Sequence, residues 1–257
     1  MRVLVIGAGV LGSLYAGRLA AAGNEVALLA RGSRLAELQE EPLRLVNDAD
    51  GTCSLARLAV IPRLEQTGAY DMGLVMVRAD QVQDLLPELS VGVGVKFFIF
   101  MHNRAAGSTV LAQAVGSDRF LLGFPGASGY RERNTVRYRV IAEQPTTLGE
   151  PDGSFSQRLR TVAKLFREAG FEVALSRRMD DWLKALALFV TAIAGAIYLA
   201  QGRHGFSALS SAGVVIEPRK LALLFALPAV ISESYWRRYL ARPNAKLIFT
   251  DMPDPPP

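Results

Sequence analysis

The chain has 257 residues, 50% of them hydrophobic and 21% charged, with a formal net charge of +5. That balance excludes a disordered or fibrous chain and leaves room for one large domain or two modest ones. With one cysteine, Cys53, and two histidines, His102 and His204, an internal disulfide framework and a Cys- or His-rich metal site are excluded, so no metal is expected and Cys53 reads as structural.

Residues 2–6 (RVLVI) form an unbroken apolar run stopped by glycine, as in a parallel strand buried on both faces. Residues 11–22 follow as a helix ended by Gly23, and residues 25–29 (EVALL) as a second strand, so the chain opens with a βαβ unit. Residues 3–19 are apolar enough to imitate a signal peptide, but three regularly spaced glycines read better as strand, loop and helix, and a cytoplasmic protein is expected. The alternation continues with a helix at 35–41, a strand at 71–77, a helix at 80–89, a strand at 96–101 and a helix at 109–115. Strands alternating with helices argue for a doubly wound parallel sheet of the Rossmann type.

After residue 119 the pattern changes. Residues 120–129 are glycine-rich, 135–142 alternate as an antiparallel strand would, 156–169 form an amphipathic helix closed by Gly170, and 171–175 a strand. From Asp180 onward only helices are expected, giving an α/β fold with a dinucleotide-binding domain at 1–176 and a smaller all-helical domain at 177–257. The apolar run 185–200 is shorter than the roughly 20 residues a spanning helix needs, so it is expected to be buried in protein rather than membrane. The proline-rich end reads as a loose tail.

The loop Gly7-Ala8-Gly9-Val10-Leu11-Gly12 lies between the first strand and the first helix. There Gly7 permits the tight turn, Gly9 the close approach of a pyrophosphate and Gly12 the packing of helix on strand, while the helix N-terminus, starting at Val10 and Leu11, offers free N–H groups to phosphate. A bare glycine pattern is weak, but this one sits in the βαβ context that dinucleotide binding requires. An NAD site places an acid about twenty residues on, to hold the ribose hydroxyls; here the second strand runs out as Leu29-Ala30-Arg31. A guanidinium suits a 2′-phosphate, so NADPH is the expected cofactor. Arg34 is a competing partner for that phosphate, and a merely solvated Arg31 is the plain alternative. The basic balance fits such an anionic ligand; the scattered Lys and Arg carry no nucleic-acid footprint.

These pieces, with Leu29-Ala30-Arg31-Gly32, residues 75–81 (VMVRADQ), Met101-His102-Asn103, Thr147-Leu148-Gly149-Glu150 and Trp182-Leu183-Lys184, resemble the ketopantoate reductases (2-dehydropantoate 2-reductases) over most of the chain, to about residue 200. The resemblance implies an N-terminal Rossmann domain and a helical domain with the active site between them. It implies NADPH-dependent reduction of a 2-oxo acid, or more broadly of a carbonyl or imine. Arg31 then matches the arginine for the 2′-phosphate, and Arg78 stands where the family usually has a lysine for the same end of the cofactor. Asn103 matches the asparagine near nicotinamide and substrate, and Lys184 the catalytic lysine that supplies a proton as hydride arrives. The plain alternatives are a turn-forming asparagine and a surface lysine paired with Asp180 at i,i+4; the apolar residues after Lys184 would desolvate its ammonium.

The departures are specific. His102 and Arg104 flank Asn103 where the family turn has Gln and Gly, and Leu188 and Ala192 replace asparagines four and eight residues after the lysine. No late Ser and Glu pair is evident, Glu233 and Ser234 lying in different surroundings. A more apolar substrate than ketopantoate is therefore expected. The runner-up is a non-catalytic NADPH-binding protein. A shortened helical domain would also expose an apolar face suited to a homodimer.

Overall fold

The computed structural model describes residues 1–64, 69–90 and 94–199, together with Ser211, Val215, Ile231 and Arg238. The opening residues fold as β1 (Arg2–Ile6), α1 (Val10–Ala21) and β2 (Glu25–Leu29). α2 (Gly32–Glu40) follows, starting earlier than the expected 35–41, because Arg31 in extended conformation serves as its N-cap. β3 (Leu43–Asn47), β4 (Cys53–Ala56) and β5 (Ala59–Ile61) come next, in a stretch where the sequence showed no element. β6 (Met72–Val75), α3 (Ala79–Ser90), β7 (Phe98–Met101) and α4 (Thr109–Val115) fall within a residue or two of their expected places. The glycine-rich stretch becomes β8 (Phe120–Phe124) and β9 (Ala127–Glu132), then β10 (Thr135–Val140), β11 (Thr146–Gly149), α5 (Gln157–Glu168), β12 (Val173–Leu175) and α6 (Met179–Leu199).

Eight strands form one sheet in the order β12-β11-β8-β7-β6-β1-β2-β5, parallel except where β11 meets β8. β1 has β2 on one side and β6 on the other, so the winding reverses there. The carboxyl ends of β1, β2, β6, β7 and β8 consequently share one edge, and the crevice at that reversal is where such sheets bind ligands. Successive residues of β1 serve opposite faces. Val3 and Val5 join the core under α1 and α5, while Leu4 and Ile6 join the core under α3, α4 and the start of α6. Both faces are covered, which is why β1 reads as an unbroken apolar run rather than an alternating one.

β4-β3-β10-β9 form a second sheet over α1. Gly17 of α1 lies against β3 so closely that a Cβ there would come within 2.7 Å of Leu45. β10 pairs antiparallel with β9, as its alternation foretold, and also parallel with β3. α5 starts at a Ser156 cap, whose hydroxyl accepts from the Leu159 amide at 3.1 Å. Glu150, buried at the end of β11, binds the Ser156 hydroxyl and pairs with Arg158 at 2.6 Å, fixing α5 to the sheet.

α6 buries Met179, Trp182, Leu183 and Leu186 against the sheet, with Trp182 on Phe124 of β8 at 5.5 Å between ring centres. The apolar run 185–200 thus begins inside the protein core, and among the described residues no helix is long and apolar enough to cross a membrane. His204, Glu233, Ser234, the proline-rich tail and the rest of the expected helical domain lie outside the described residues.

Candidate cofactor and active site

The glycine loop starts at the carboxyl end of β1. Gly7 has φ +110°, and a Cβ on it would approach the Met76 carbonyl oxygen after β6 to 2.6 Å. A Cβ on Gly12 would collide with the carbonyl oxygen of Gly7. Both glycines are therefore required by packing alone. Gly9 is different: a Cβ there would meet nothing within 4 Å, so the loop borders open space. Gly9 is the N-cap of α1, no side chain caps the helix and no acid lies in its first turn. The first backbone bond of the helix comes from Ser13 to Gly9, leaving the amides of Val10, Leu11 and Gly12 without intrahelical partners. An anion in front of Gly9 meets those amides and the positive end of the helix dipole.

Arg34 braces this loop from behind. It is buried, and it donates to the Ala8 carbonyl at 3.1 Å, the Ser13 hydroxyl at 3.2 Å, the Arg133 carbonyl at 3.1 Å and Asn134 Oδ1 at 2.9 Å, and pairs with Glu37 at 3.0 Å. Its guanidinium is committed to the fold, which corrects its place as a competing phosphate partner. Arg31, just beyond β2, is more than half exposed and donates from Nη2 to both carboxylate oxygens of Glu88, at 3.1 and 3.0 Å. Arg78, beyond β6, is 76% exposed and grips Asp80 through Nε at 3.1 Å and Nη2 at 2.6 Å. Both cations are thus held by acids of α3. Surface pairs of this kind are weak and exchange readily for a phosphate.

On the other side of the loop, β7 ends in His102-Asn103-Arg104. His102 and Arg104 are buried, His102 edge-on to Phe100 at 6.0 Å. Neither ring nitrogen of His102 nor Oδ1 of Asn103 has a hydrogen-bond partner among the described residues, although all three atoms are buried. Burial, aided by the charge of Arg104, pushes the His102 pKa down to about 4, so the ring is neutral near pH 7. Arg104 donates from Nε to the Gly107 carbonyl. Burial lowers its pKa and the Asp180 carboxylate partly offsets that.

Asp180 links this turn to α6. A Cβ on Gly107 would lie 3.8 Å from Asp180 Oδ2, and the same oxygen holds Lys184 Nζ at 2.6 Å. Lys184 is about three-quarters buried, and it makes the i,i+4 ion pair with Asp180 that the plain alternative named, though not on an exposed surface. Leu188, one turn further along the face of Lys184, is half-buried, and the side chain of Ala192 lies outside the described residues. The structure therefore gathers the glycine loop, Arg31 and Arg78 at one end of the sheet edge and Asn103, Arg104, Asp180 and Lys184 at the other. Arg104 had no assigned role from sequence, and a basic residue in place of the turn glycine was its signal; Asp180 was foreseen as the partner of Lys184 but not as a neighbour of this turn. Cys53 is exposed on β4, not in the core, and takes a hydrogen bond from Arg44 at 3.2 Å.

The family model for ketopantoate reductase PanE/ApbA matches residues 3–153. The chain belongs to this family. A 2-dehydropantoate 2-reductase of Halobacterium salinarum is 31% identical over 190 residues, covering 72% of this chain and 62% of the relative, so the match spans under two thirds of that protein. The crystal structure of 2-dehydropantoate 2-reductase from Porphyromonas gingivalis W83 superposes with a TM-score of 0.69 at 16% identity, over 93% of this chain and 88% of that one. A D-mandelate dehydrogenase solved with NADH and anilino(oxo)acetate superposes with a TM-score of 0.63 at 16% identity, over 75% and 62% of the two chains. These structures share the fold, a Rossmann sheet followed by helices. The family match and the shared fold thus place the chain among relatives named as ketopantoate reductases.

Proposed function

We propose that the protein is an NADPH-dependent reductase of a 2-oxo acid or a similar carbonyl or imine. The observation that carries this reading is the open space at Gly9, bounded by an uncapped helix start at the strand-order reversal, with Arg31 at the end of the neighbouring strand. The site fits a pyrophosphate at Gly9, Val10, Leu11 and Gly12, and a 2′-phosphate at Arg31 with Arg78 nearby. When bound, NADPH supplies a hydride. Asn103 offers an unpaired Oδ1 where the nicotinamide end would lie, and acts as the positioning group. Lys184 donates a proton to the developing alkoxide, with Asp180 holding its ammonium in place.

The D-mandelate dehydrogenase complex, with a nicotinamide cofactor and a 2-oxo acid analogue in the same fold, supports this substrate class. Leu188 in place of a polar residue favours an apolar tail on the substrate, so a kcat/KM for ketopantoate below about 10⁴ M⁻¹s⁻¹ is expected. A cytoplasmic location goes with the use of NADPH. The test is a screen of 2-oxo acids followed by NADPH absorbance. Turnover of any of them supports the reductase, whereas tight NADPH binding without turnover across the panel assigns a binding role alone.

A further inference from the structure

We propose that Arg104 is the anchor for the substrate carboxylate, a specificity-determining residue; the proposal rests on the reductase reading above. Arg104 is 7% exposed, yet its hydrogen bonding among the described residues is limited to Nε on the Gly107 carbonyl. Among those residues the two terminal nitrogens of the guanidinium have no partner, and no carboxylate lies within ion-pair distance of it. Asp180 is the acid that offsets its burial, but Asp180 is already held by Lys184 at 2.6 Å. Asp181, the next acid, is held by Arg178 at 2.7 Å.

Lys184 thus holds the one carboxylate whose charge offsets the burial of Arg104, and the cluster of the three keeps a net positive charge. The neighbouring His102 is neutral near pH 7 and adds no further charge. A buried charge without its full partner set is costly, and one anion relieves it. The two terminal nitrogens of a guanidinium match the two oxygens of a carboxylate. A 2-oxo acid has its carbonyl carbon bonded to its carboxylate carbon, so a carboxylate on Arg104 brings that carbonyl into the neighbourhood of Lys184 and Asn103. The same turn therefore selects an acid over the corresponding amide or ester, while Leu188 leaves the tail apolar.

The test uses oxamate, an unreactive analogue of a 2-oxo acid, titrated calorimetrically into NADPH-saturated protein. NADPH affinity is measured in parallel on the wild type, Arg104→Met and Arg104→Lys. Arg104→Met should weaken oxamate binding about tenfold to a hundredfold, and Arg104→Lys by less, with NADPH affinity held within about twofold in both. Should Arg104→Met fail to fold, Arg104→Lys decides, because it keeps the charge and loses the fork. Equal oxamate affinity in wild type and variant, or no oxamate binding to wild type, overturns the carboxylate anchor and leaves the NADPH reading standing. Failure of the wild type to bind NADPH overturns the reductase reading and this proposal with it.

Discussion

Replacing Glu88 should tighten NADPH binding, because Glu88 holds the arginine proposed for the 2′-phosphate. In the proposed complex a 2′-phosphate would compete for Arg31 with Glu88, which holds Nη2 at 3.0 Å with roughly half of each side chain in solvent. An exposed pair of that kind contributes about 1 kcal/mol at most, while a charged hydrogen bond to phosphate contributes about 1.5–3 kcal/mol. The phosphate therefore wins, but against a competitor. Glu88→Gln should strengthen NADPH binding by up to about fivefold, leave NADH nearly unchanged, and show most effect at low salt. Arg31→Ala should weaken NADPH about tenfold to over a hundredfold, with little change for NADH. In the Arg31→Ala background, Glu88→Gln should do almost nothing, because its effect passes through Arg31. The assay is fluorescence titration of both cofactors against the four proteins. Equal affinity of the wild type for NADPH and NADH would refute the reasoning at its root. A gain from Glu88→Gln that persists without Arg31 would show that Glu88 acts by general repulsion instead.

Lys184→Ala should leave NADPH affinity nearly unchanged and lower turnover about 10²-fold or more, the usual worth of a positioned acid; steady-state kinetics that match wild type would place Lys184 outside the chemistry. Gly12→Ala drives a Cβ into the Gly7 carbonyl and should cost about 1–3 kcal/mol in stability as well as most NADPH binding, so an unaltered thermal melt and titration would contradict the loop geometry. His102 should make stability pH-dependent. Its pKa is about 4 in the fold, lowered by burial and then by Arg104, against 6.5 for the ordinary side chain. Between those values the unfolded chain binds more protons, so stability is full above pH 6.5 and falls as pH drops toward 4, by at most about 3 kcal/mol. Urea unfolding of wild type and His102→Gln at several pH values reads this directly: the variant should lose part of the slope, and identical slopes would mean that His102 protonates freely in the fold.

The first βαβ unit was readable because its signals are local. A strand buried on both faces must be apolar throughout, Gly12 is fixed by the Gly7 carbonyl five residues away, and Gly7 by its own φ of +110°, although the atoms packed against Gly7 come from Met76 and Val77. α5 was readable for the same reason, with its serine cap and apolar stripe in one short segment. β3, β4 and β5 were not. They are short, partly exposed strands whose partners, β10 and β2 among them, are distant or only weakly patterned, and pairing rather than propensity makes them strands.

The sequence by itself determined the class of fold, the glycine turn between β1 and α1 and the presence of a cation rather than an acid after β2, since each depends on the type of residue at a fixed spacing from its neighbours. Tertiary structure alone decided what each charged side chain does. Arg31 and Arg34 lie three positions apart, and either could be a phosphate ligand on paper. Folding commits Arg34 to Ser13, Arg133 and Asn134, and leaves Arg31 exposed on an exchangeable acid. In the same way it buries Arg104 beside Asp180 and Lys184, from a segment about eighty residues later in the chain. The reason is physical: apolar periodicity reports which face is buried, whereas the fate of a charge depends on which partners and how much water surround it, and those come from elements far apart in sequence.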